Sequence, residues 1–187
     1  MLRELIIHNR SFRRFKHDVK ISEEQIKTWI DLARISASGR NKQPLKYKIV
    51  AQPEMCDKLF PMLGWAGYLD YWKGPAKNEQ PAAYIIIIKD HSISENHYCD
   101  DGIAMQSILL GAVEDGFGGC MIGTVNKRKV AKLFKLEDKF EVLWVVALGK
   151  PAEEVVLETA TEDIRYWRDE QDVHHVPKRT LDEIILK

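Results

Sequence analysis

A continuous apolar run, Tyr84-Ile85-Ile86-Ile87-Ile88, constrains the fold of this chain more than any other segment. The run lacks the polar alternation of a half-exposed strand, so it predicts a strand that is buried on both faces. Residues 141–148 form a second run of this kind, which ends at Gly149-Lys-Pro151. Strands of this type need covering layers on both sides of their sheet. With helical and strand signals mixed along the sequence, we expect an α+β or α/β fold in one domain over residues 1–187.

Helical signals lie on either side of these strands. Ser22 is a predicted N-cap, and Gln25 completes its capping box. The segment from Asp101 to Asp115 is apolar nearly all round, with Gly116 as a plausible C-terminal stop. A helix with that pattern must be buried on several sides. In a chain of this size, a partner subunit is one way to bury it.

The composition and the cysteine spacing argue against a nucleic-acid-binding, membrane-spanning or zinc-binding protein. With 28 basic and 28 acidic residues, the chain lacks the positive field that nonspecific nucleic-acid binding needs. No apolar run approaches the length of a membrane span, and no signal-peptide core is visible at the N-terminus. The three cysteines have no CxxC spacing, which favours reduced thiols over a zinc site. We therefore expect a cytoplasmic protein with no metal and no membrane contact.

An arginine-rich segment near the N-terminus, Asn9-Arg10-Ser11-Phe12-Arg13-Arg14-Phe15, is the strongest candidate for a binding site. Arginine presents a planar fork of donors that suits phosphate oxygens. In a chain without net charge, this local excess predicts a discrete anion site. The alternative is a solvated basic turn before a helix.

Three further segments that could contribute to a binding site follow the arginine segment along the chain. They are Ser38-Gly-Arg-Asn41-Lys-Gln43-Pro44, Asp101-Gly-Ile-Ala-Met-Gln106 and Gly118-Gly-Cys-Met-Ile-Gly123. Taken together and in this order, the four segments resemble the nitroreductase family of FMN-dependent oxidoreductases. The resemblance covers essentially the whole chain.

The resemblance implies a nitroreductase-like α+β fold, with a mixed central sheet flanked by helices in an interlocked homodimer. It also implies FMN as cofactor, NADH or NADPH as reductant, and a small flat electron acceptor such as a nitroaromatic or a quinone. The flavin would carry the chemistry, so no side-chain nucleophile is expected. Two alternatives remain open: a flavin enzyme dedicated to one metabolite, and a flavin-binding carrier or sensor without turnover.

Site residues follow from the resemblance position by position. Those matching the family's phosphate and ribityl contacts are Arg10, Ser11 and Arg13. Those matching the loop that reaches the flavin of the other subunit are Ser38, Asn41 and Gln43. Gly123 matches the glycine beside the flavin ring, and Lys178 and Arg179 match a basic pair that approaches the phosphate.

Aromatic residues cluster beside glycines in residues 64–75 and predict a mobile wall of the substrate pocket. From this segment we assign Trp65, Tyr68 and Trp72 to that pocket, with ordinary core packing as the alternative. Gln106 is assigned to the same pocket, with a core hydrogen bond as its alternative. Residues 152–187 are polar and predict an extended tail with a short final helix at 181–186. Within the tail, before this helix, we expect His174 and His175 to be solvated.

Overall fold

The computed structural model describes residues 2–186, which contain six α-helices and seven strands. The helices are α1 (Leu2–His8), α2 (Glu23–Ile35), α3 (Pro53–Leu59), α4 (Asp100–Glu114), α5 (Lys127–Leu133) and α6 (Leu181–Ile184). The strands are β1 (Leu45–Val50), β2 (Ala83–Asp90), β3 (Gly118–Ile122), β4 (Phe140–Gly149), β5 (Val155–Thr159), β6 (Trp167–Arg168) and β7 (His174–Lys178).

Four strands form the central sheet in the order β1-β2-β4-β3. Neighbouring strands in this sheet are antiparallel. A parallel pairing is added at the β3 edge, where Ser11 bridges Gly119. All 8 residues of β2 are buried, because β2 lies inside the sheet between β1 and β4. This confirms the strand predicted from the β-branched run and the α+β class.

Apolar layers cover both faces of the sheet. Ile85 and Ile87 belong to the layer that includes α2 and α4. Tyr84 and Ile86 belong to the opposite layer, with α3 and α5. Because successive strand residues point to opposite faces, the part of β2 between the two layers, residues 83–88, is apolar at every position.

A local capping signal sets the start of α2, and packing between α2 and α4 buries part of α4. The Ser22 hydroxyl accepts a hydrogen bond from the Gln25 backbone N–H at 3.1 Å, and the Gln25 side chain accepts one from the Ser22 N–H at 3.1 Å. The predicted capping box is therefore confirmed. Helix α4 begins at Asp100, and α2 packs along it, with the Trp29 indole donating to Asp115 at 2.8 Å. Part of the burial that α4 requires thus comes from its own chain.

The C-terminal segment differs from the extended, solvated tail that its composition predicts. β5, β7 and β6 form a second sheet in that order, with β7 parallel to β5 and antiparallel to β6. His174 is only 1% exposed, so the solvated position predicted for it is wrong. The physical reason is non-local pairing, which leaves no periodic pattern in such short strands. The final helix is also shorter than predicted and ends at Ile184.

Within residues 2–186, no helix combines the length and the apolar character that crossing a membrane requires. The same residues hold no group of three or more His, Cys, Asp or Glu side chains arranged to bind a metal ion.

Candidate cofactor site

The arginine segment lies as an extended strip along the edge of the central sheet. The Phe12 N–H donates to the Gly119 carbonyl at 3.0 Å, and the Lys16 N–H donates to the Lys150 carbonyl at 2.8 Å. Phe15 is 1% exposed and packs against Gly149, where an added Cβ would overlap its ring. The aromatic residues of the segment therefore anchor it to β3 and β4, which fixes where its arginines lie.

The three arginines have different electrostatic surroundings. Arg14 forms ion pairs with Glu79 at 3.2 Å and with Asp172 at 3.1 Å. Arg10 and Arg13 form no ion pair with any residue between 2 and 186. Burial without a carboxylate partner lowers the pKa of Arg10 from its ordinary value. Two of the three cations are thus free to bind an anion.

A cavity of about 330 Å³ lies beside these two arginines. Strand β7 forms part of its wall through His174, Val176 and Lys178, which are alternate residues and so share one face of the strand. The other lining residues are Asn9, Arg10, Ser11, Arg13 and Tyr166. Among the described residues this wall holds three cations and no carboxylate, which is the donor set that suits a phosphate group.

Two buried side-chain nitrogens of this wall have no hydrogen-bond partner within residues 2–186. They are Arg10 Nε and His174 Nδ1. Buried donors are almost always satisfied in native proteins, and one left unsatisfied costs about 1–3 kcal/mol. Orphaned donors beside unpaired cations fit an anionic ligand such as the phosphate of FMN.

Contacts from three directions hold Arg13 in place. Its Nη1 donates to the Ser11 carbonyl at 3.1 Å and lies 3.2 Å from His174 Nε2. Its guanidinium lies 4.7 Å from the centre of the Tyr166 ring. Arg13 is 8% exposed, so its position is set before any ligand binds.

A buried carboxylate ties the arginine segment to the second sheet. Glu153 accepts hydrogen bonds from the backbone N–H groups of Arg13 and, at 3.1 Å, of Arg14. Its other oxygen pairs with Arg168 at 2.8 Å, and the two side chains are 1% and 3% exposed. The guanidinium of Arg168 also lies 4.5 Å from the centre of the Trp72 ring. Glu153 therefore joins the N-terminal segment and β6 through one side chain.

A second cavity, of about 260 Å³, continues from the first. The two share Arg13 and Tyr166 as walls, and the second contains Gly123 and Trp65. A Cβ at Gly123 would overlap the ring of Trp144 directly behind it. Close packing on Trp144 therefore requires glycine at this position, and Gly123 lines the cavity with backbone alone.

One cysteine thiol, Cys120, also lines the second cavity. Burial raises the pKa of this thiol above its usual range. Because the thiolate is the reactive form, Cys120 is a poor nucleophile. The lining therefore suits binding of a planar group rather than covalent chemistry by a side chain.

The loop predicted to reach a flavin lies in another part of the structure. The Ser38 hydroxyl donates to Asp100 at 2.6 Å and accepts from the Gln43 backbone N–H at 2.9 Å. Ser38 and Gln43 line a separate cavity of about 220 Å³ with Tyr47. Asn41 and Gln43 are exposed and have positive φ angles of 54° and 51°. The cavity that Ser38 and Gln43 line has no lining residue in common with the cavity beside Arg10 and Arg13.

The remaining predicted residues divide between several positions. Trp65 lies in the glycine-lined cavity, whereas Tyr68 is 51% exposed and its ring lies tilted against that of Tyr166, with ring centroids 4.9 Å apart. Trp72 lies against Arg168, and Gln106 accepts a hydrogen bond from the Asn9 side chain at 3.3 Å. Arg179 pairs with Glu183 on α6, so of the predicted basic pair only Lys178 lines the cationic cavity.

Sequence reasoning missed three residues of this site: Glu153, Tyr166 and His174. All three lie in the C-terminal region, and each contacts Arg13. For His174, the spacing to Val176 and Lys178 is that of one strand face, but these three residue types form no apolar and polar alternation that would predict a strand. We see no local signal for the other two either.

Comparisons with known proteins agree with this architecture. The family model described as "Nitroreductase family" matches residues 6–150. YdgI of Bacillus subtilis, named as an NAD(P)H nitroreductase, is 23% identical over 185 residues, covering 81% of this chain and 88% of YdgI. A nitroreductase family protein of Streptococcus pneumoniae has a TM-score of 0.73 at 17% identity, with 100% of both chains covered.

A third similar protein is the NADPH:FMN oxidoreductase of Vibrio harveyi, whose structure was solved with NAD+. It is 24% identical with a TM-score of 0.66, covering 90% of this chain and 79% of the Vibrio protein. The family model spans well over half of the chain, and the fold is shared with these solved structures. The chain therefore belongs to the nitroreductase family.

Proposed function

We propose that this protein is an FMN-dependent oxidoreductase that transfers electrons from NADH or NADPH to a small flat acceptor such as a nitroaromatic or a quinone. The observation that carries this proposal is the pair of adjoining cavities. One is lined by unpaired cations and the other by Gly123, and they share Arg13 and Tyr166. Names of related proteins support the choice of ligands, since YdgI is named for NAD(P)H and the Vibrio protein for FMN.

In this proposal, Arg10, Arg13 and Lys178 bind the phosphate, and Ser11 lies beside the ribityl chain. Each charge-assisted hydrogen bond to the phosphate contributes about 1.5–3 kcal/mol. The flavin ring lies in the neighbouring cavity against Gly123. Bound FMN would supply the redox chemistry, and the residues of the chain bind it, orient it and shield it from water.

We further propose that the active form is a homodimer, with Ser38, Asn41 and Gln43 serving the flavin bound to the partner subunit. Two features support this. The amides of Asn41 and Gln43 are exposed and held in a left-handed conformation that usually requires a local reason. Apolar side chains of α1 and α6 are also exposed, among them Leu2 at 64% and Leu181 at 67%. Several exposed apolar side chains on one short helix, such as Leu2 and Ile6 of α1, favour a contact surface.

The chain acts as one domain in this proposal, since Glu153 and Arg168 join the second sheet to the arginine segment. We place the protein in the cytoplasm, where thiols stay reduced. The support for this location is that Cys56, Cys99 and Cys120 are all free.

Purification and flavin analysis test the proposed function. The purified protein should be yellow and should release FMN, rather than FAD, on denaturation. Arg10→Ala should weaken FMN binding about tenfold to a hundredfold, because one charge-assisted phosphate contact is lost. Arg179→Ala is the matched control and should bind FMN normally. Equal losses in both variants would contradict the phosphate assignment.

Turnover separates an enzyme from a flavin carrier. NADH or NADPH oxidation should be stimulated by menadione or by a nitroaromatic compound, and Arg10→Ala should lower this rate when FMN is limiting. A wild-type protein that binds FMN but shows no acceptor-dependent oxidation with either reductant would contradict the enzymatic part of the proposal.

A further inference from the structure

His174 begins β7, 161 positions along the chain from Arg13, and its ring is buried against the guanidinium of that arginine. His174 Nε2 lies 3.2 Å from Arg13 Nη1. A guanidinium only donates hydrogen bonds, so Nε2 must be the acceptor. The ring is therefore neutral, with its proton on Nδ1.

The surroundings of His174 favour this neutral form on every side. The N-terminal segment presents Arg13, and β6 presents Arg168, whereas the Glu153 carboxylate of the same cluster is already paired with Arg168. The Tyr166 ring lies tilted against the imidazole with ring centroids 5.2 Å apart, and His175 follows on the same strand. Burial, together with the charges of Arg13 and Arg168, lowers the pKa of His174 to about 4.

The partners of Arg13 show why a neutral imidazole is needed there. Its guanidinium has no carboxylate partner between residues 2 and 186 and is held only by a carbonyl, an imidazole and an aromatic ring. A carboxylate at the position of His174 would neutralise the cation and compete with a bound anion. A neutral acceptor orients the guanidinium and leaves its charge available.

We propose that His174 is a positioning residue of the anion site, which orients the Arg13 guanidinium through Nε2 without neutralising its charge. This inference rests on the proposed function, in which the anion is the FMN phosphate. It adds a requirement that the proposed function does not contain: the neutral, Nδ1-protonated form of a single histidine.

The test compares two ligands and three variants. FMN and riboflavin share the flavin ring, but only FMN carries the phosphate. His174→Leu keeps an apolar volume but removes the acceptor, whereas His174→Gln places an amide oxygen near the position of Nε2. His175→Gln is the matched control, because His175 lies on the opposite face of β7, between Glu158 and Asp169.

Titration of intrinsic fluorescence should give the dissociation constants. His174→Leu should bind FMN about tenfold more weakly, as expected for loss of one well-oriented charged contact, with riboflavin binding unchanged. His174→Gln should restore most of the FMN affinity, and His175→Gln should match the wild type. Equal weakening of both flavins would indicate a structural role and overturn the inference, as would unchanged FMN binding in His174→Leu.

Two further measurements separate this inference from the proposed function. If the wild-type protein binds neither flavin, the proposed function fails, and thermal stabilisation by inorganic phosphate then decides the role of His174. Stabilisation that is lost in His174→Leu and kept in His174→Gln supports it, and equal stabilisation in all variants overturns it. If His174→Leu does not fold, nitrogen-15 NMR of the wild-type imidazole decides, since an Nε2-protonated ring at neutral pH would overturn the inference.

Discussion

Replacing Glu153 with glutamine should destabilise the protein strongly. The Glu153 carboxylate is 1% exposed and is paired with Arg168, which is 3% exposed, at 2.8 Å. It also accepts hydrogen bonds from the backbone N–H groups of Arg13 and Arg14. Glu153→Gln keeps the shape and one carbonyl oxygen but leaves the buried guanidinium of Arg168 without a counter-charge.

The expected magnitude follows from this geometry. Breaking a buried ion pair by removing one partner costs about 3–5 kcal/mol. The glutamine oxygen retains part of the hydrogen bonding, which favours the lower end, about 3 kcal/mol. For a chain of this size, 1 kcal/mol shifts Tm by about 2–4 °C, so Tm should fall by about 6–12 °C.

Urea unfolding followed by tryptophan fluorescence measures the loss. Glu154→Gln is the matched control, because Glu154 is the next residue and is exposed; its stability should stay within about 0.5 kcal/mol of the wild type. The double variant Glu153→Gln/Arg168→Met should recover part of the loss, since it removes the unpaired charge as well. A loss below about 1 kcal/mol, or a double variant less stable than Glu153→Gln, would refute the reasoning.

Three further predictions follow from the site. Mixing Arg10→Ala/Arg13→Ala subunits with Asn41→Ala/Gln43→Ala subunits should return about half of wild-type activity in the heterodimer, since all damage then falls in one of two shared sites; a monomer by light scattering, or no recovery, would contradict shared sites. Inorganic phosphate should compete with FMN, whereas sodium chloride of equal ionic strength should compete less; equal effects would indicate simple screening. Because the folded pKa of His174 is about 4, below its ordinary 6.5, the unfolded chain binds more protons between these values. Stability should therefore fall as pH drops from about 6.5 to about 4, by at most about 3 kcal/mol, and less steeply in His174→Gln, as measured by urea unfolding at each pH.

Local patterns were sufficient to predict the central elements. The β-branched run at 84–88 lies within β2 because burial on both faces demands apolar residues at each position. The Ser22 capping box marks the start of α2 because its hydrogen bonds join residues only three positions apart. Both signals depend on near neighbours, which a single sequence displays directly.

The C-terminal contacts depend on pairings that no local pattern displays. His174 is buried because it meets Arg13, 161 positions earlier, and Glu153 is buried because it meets the backbone of the arginine segment. The polar composition of residues 152–186 resembles that of a solvated tail, and composition alone does not reveal that Glu153 pairs with Arg168 or that Asp172 pairs with Arg14. The residue types at the cofactor site were predictable, but the residues that orient them were not.

The alternation of β7 places a constraint on insertions and deletions. One face of the strand places His174 and Lys178 in the anion cavity with Arg13, and the other face places His175 between Glu158 and Asp169. The preceding turn is closed by Asp169, which accepts hydrogen bonds from the N–H groups two and four residues later. Adding or removing one residue there would exchange the two faces of the strand. Natural homologues should therefore keep the number of residues in this turn, while the identity of the exposed residues Glu170 and Gln171 varies.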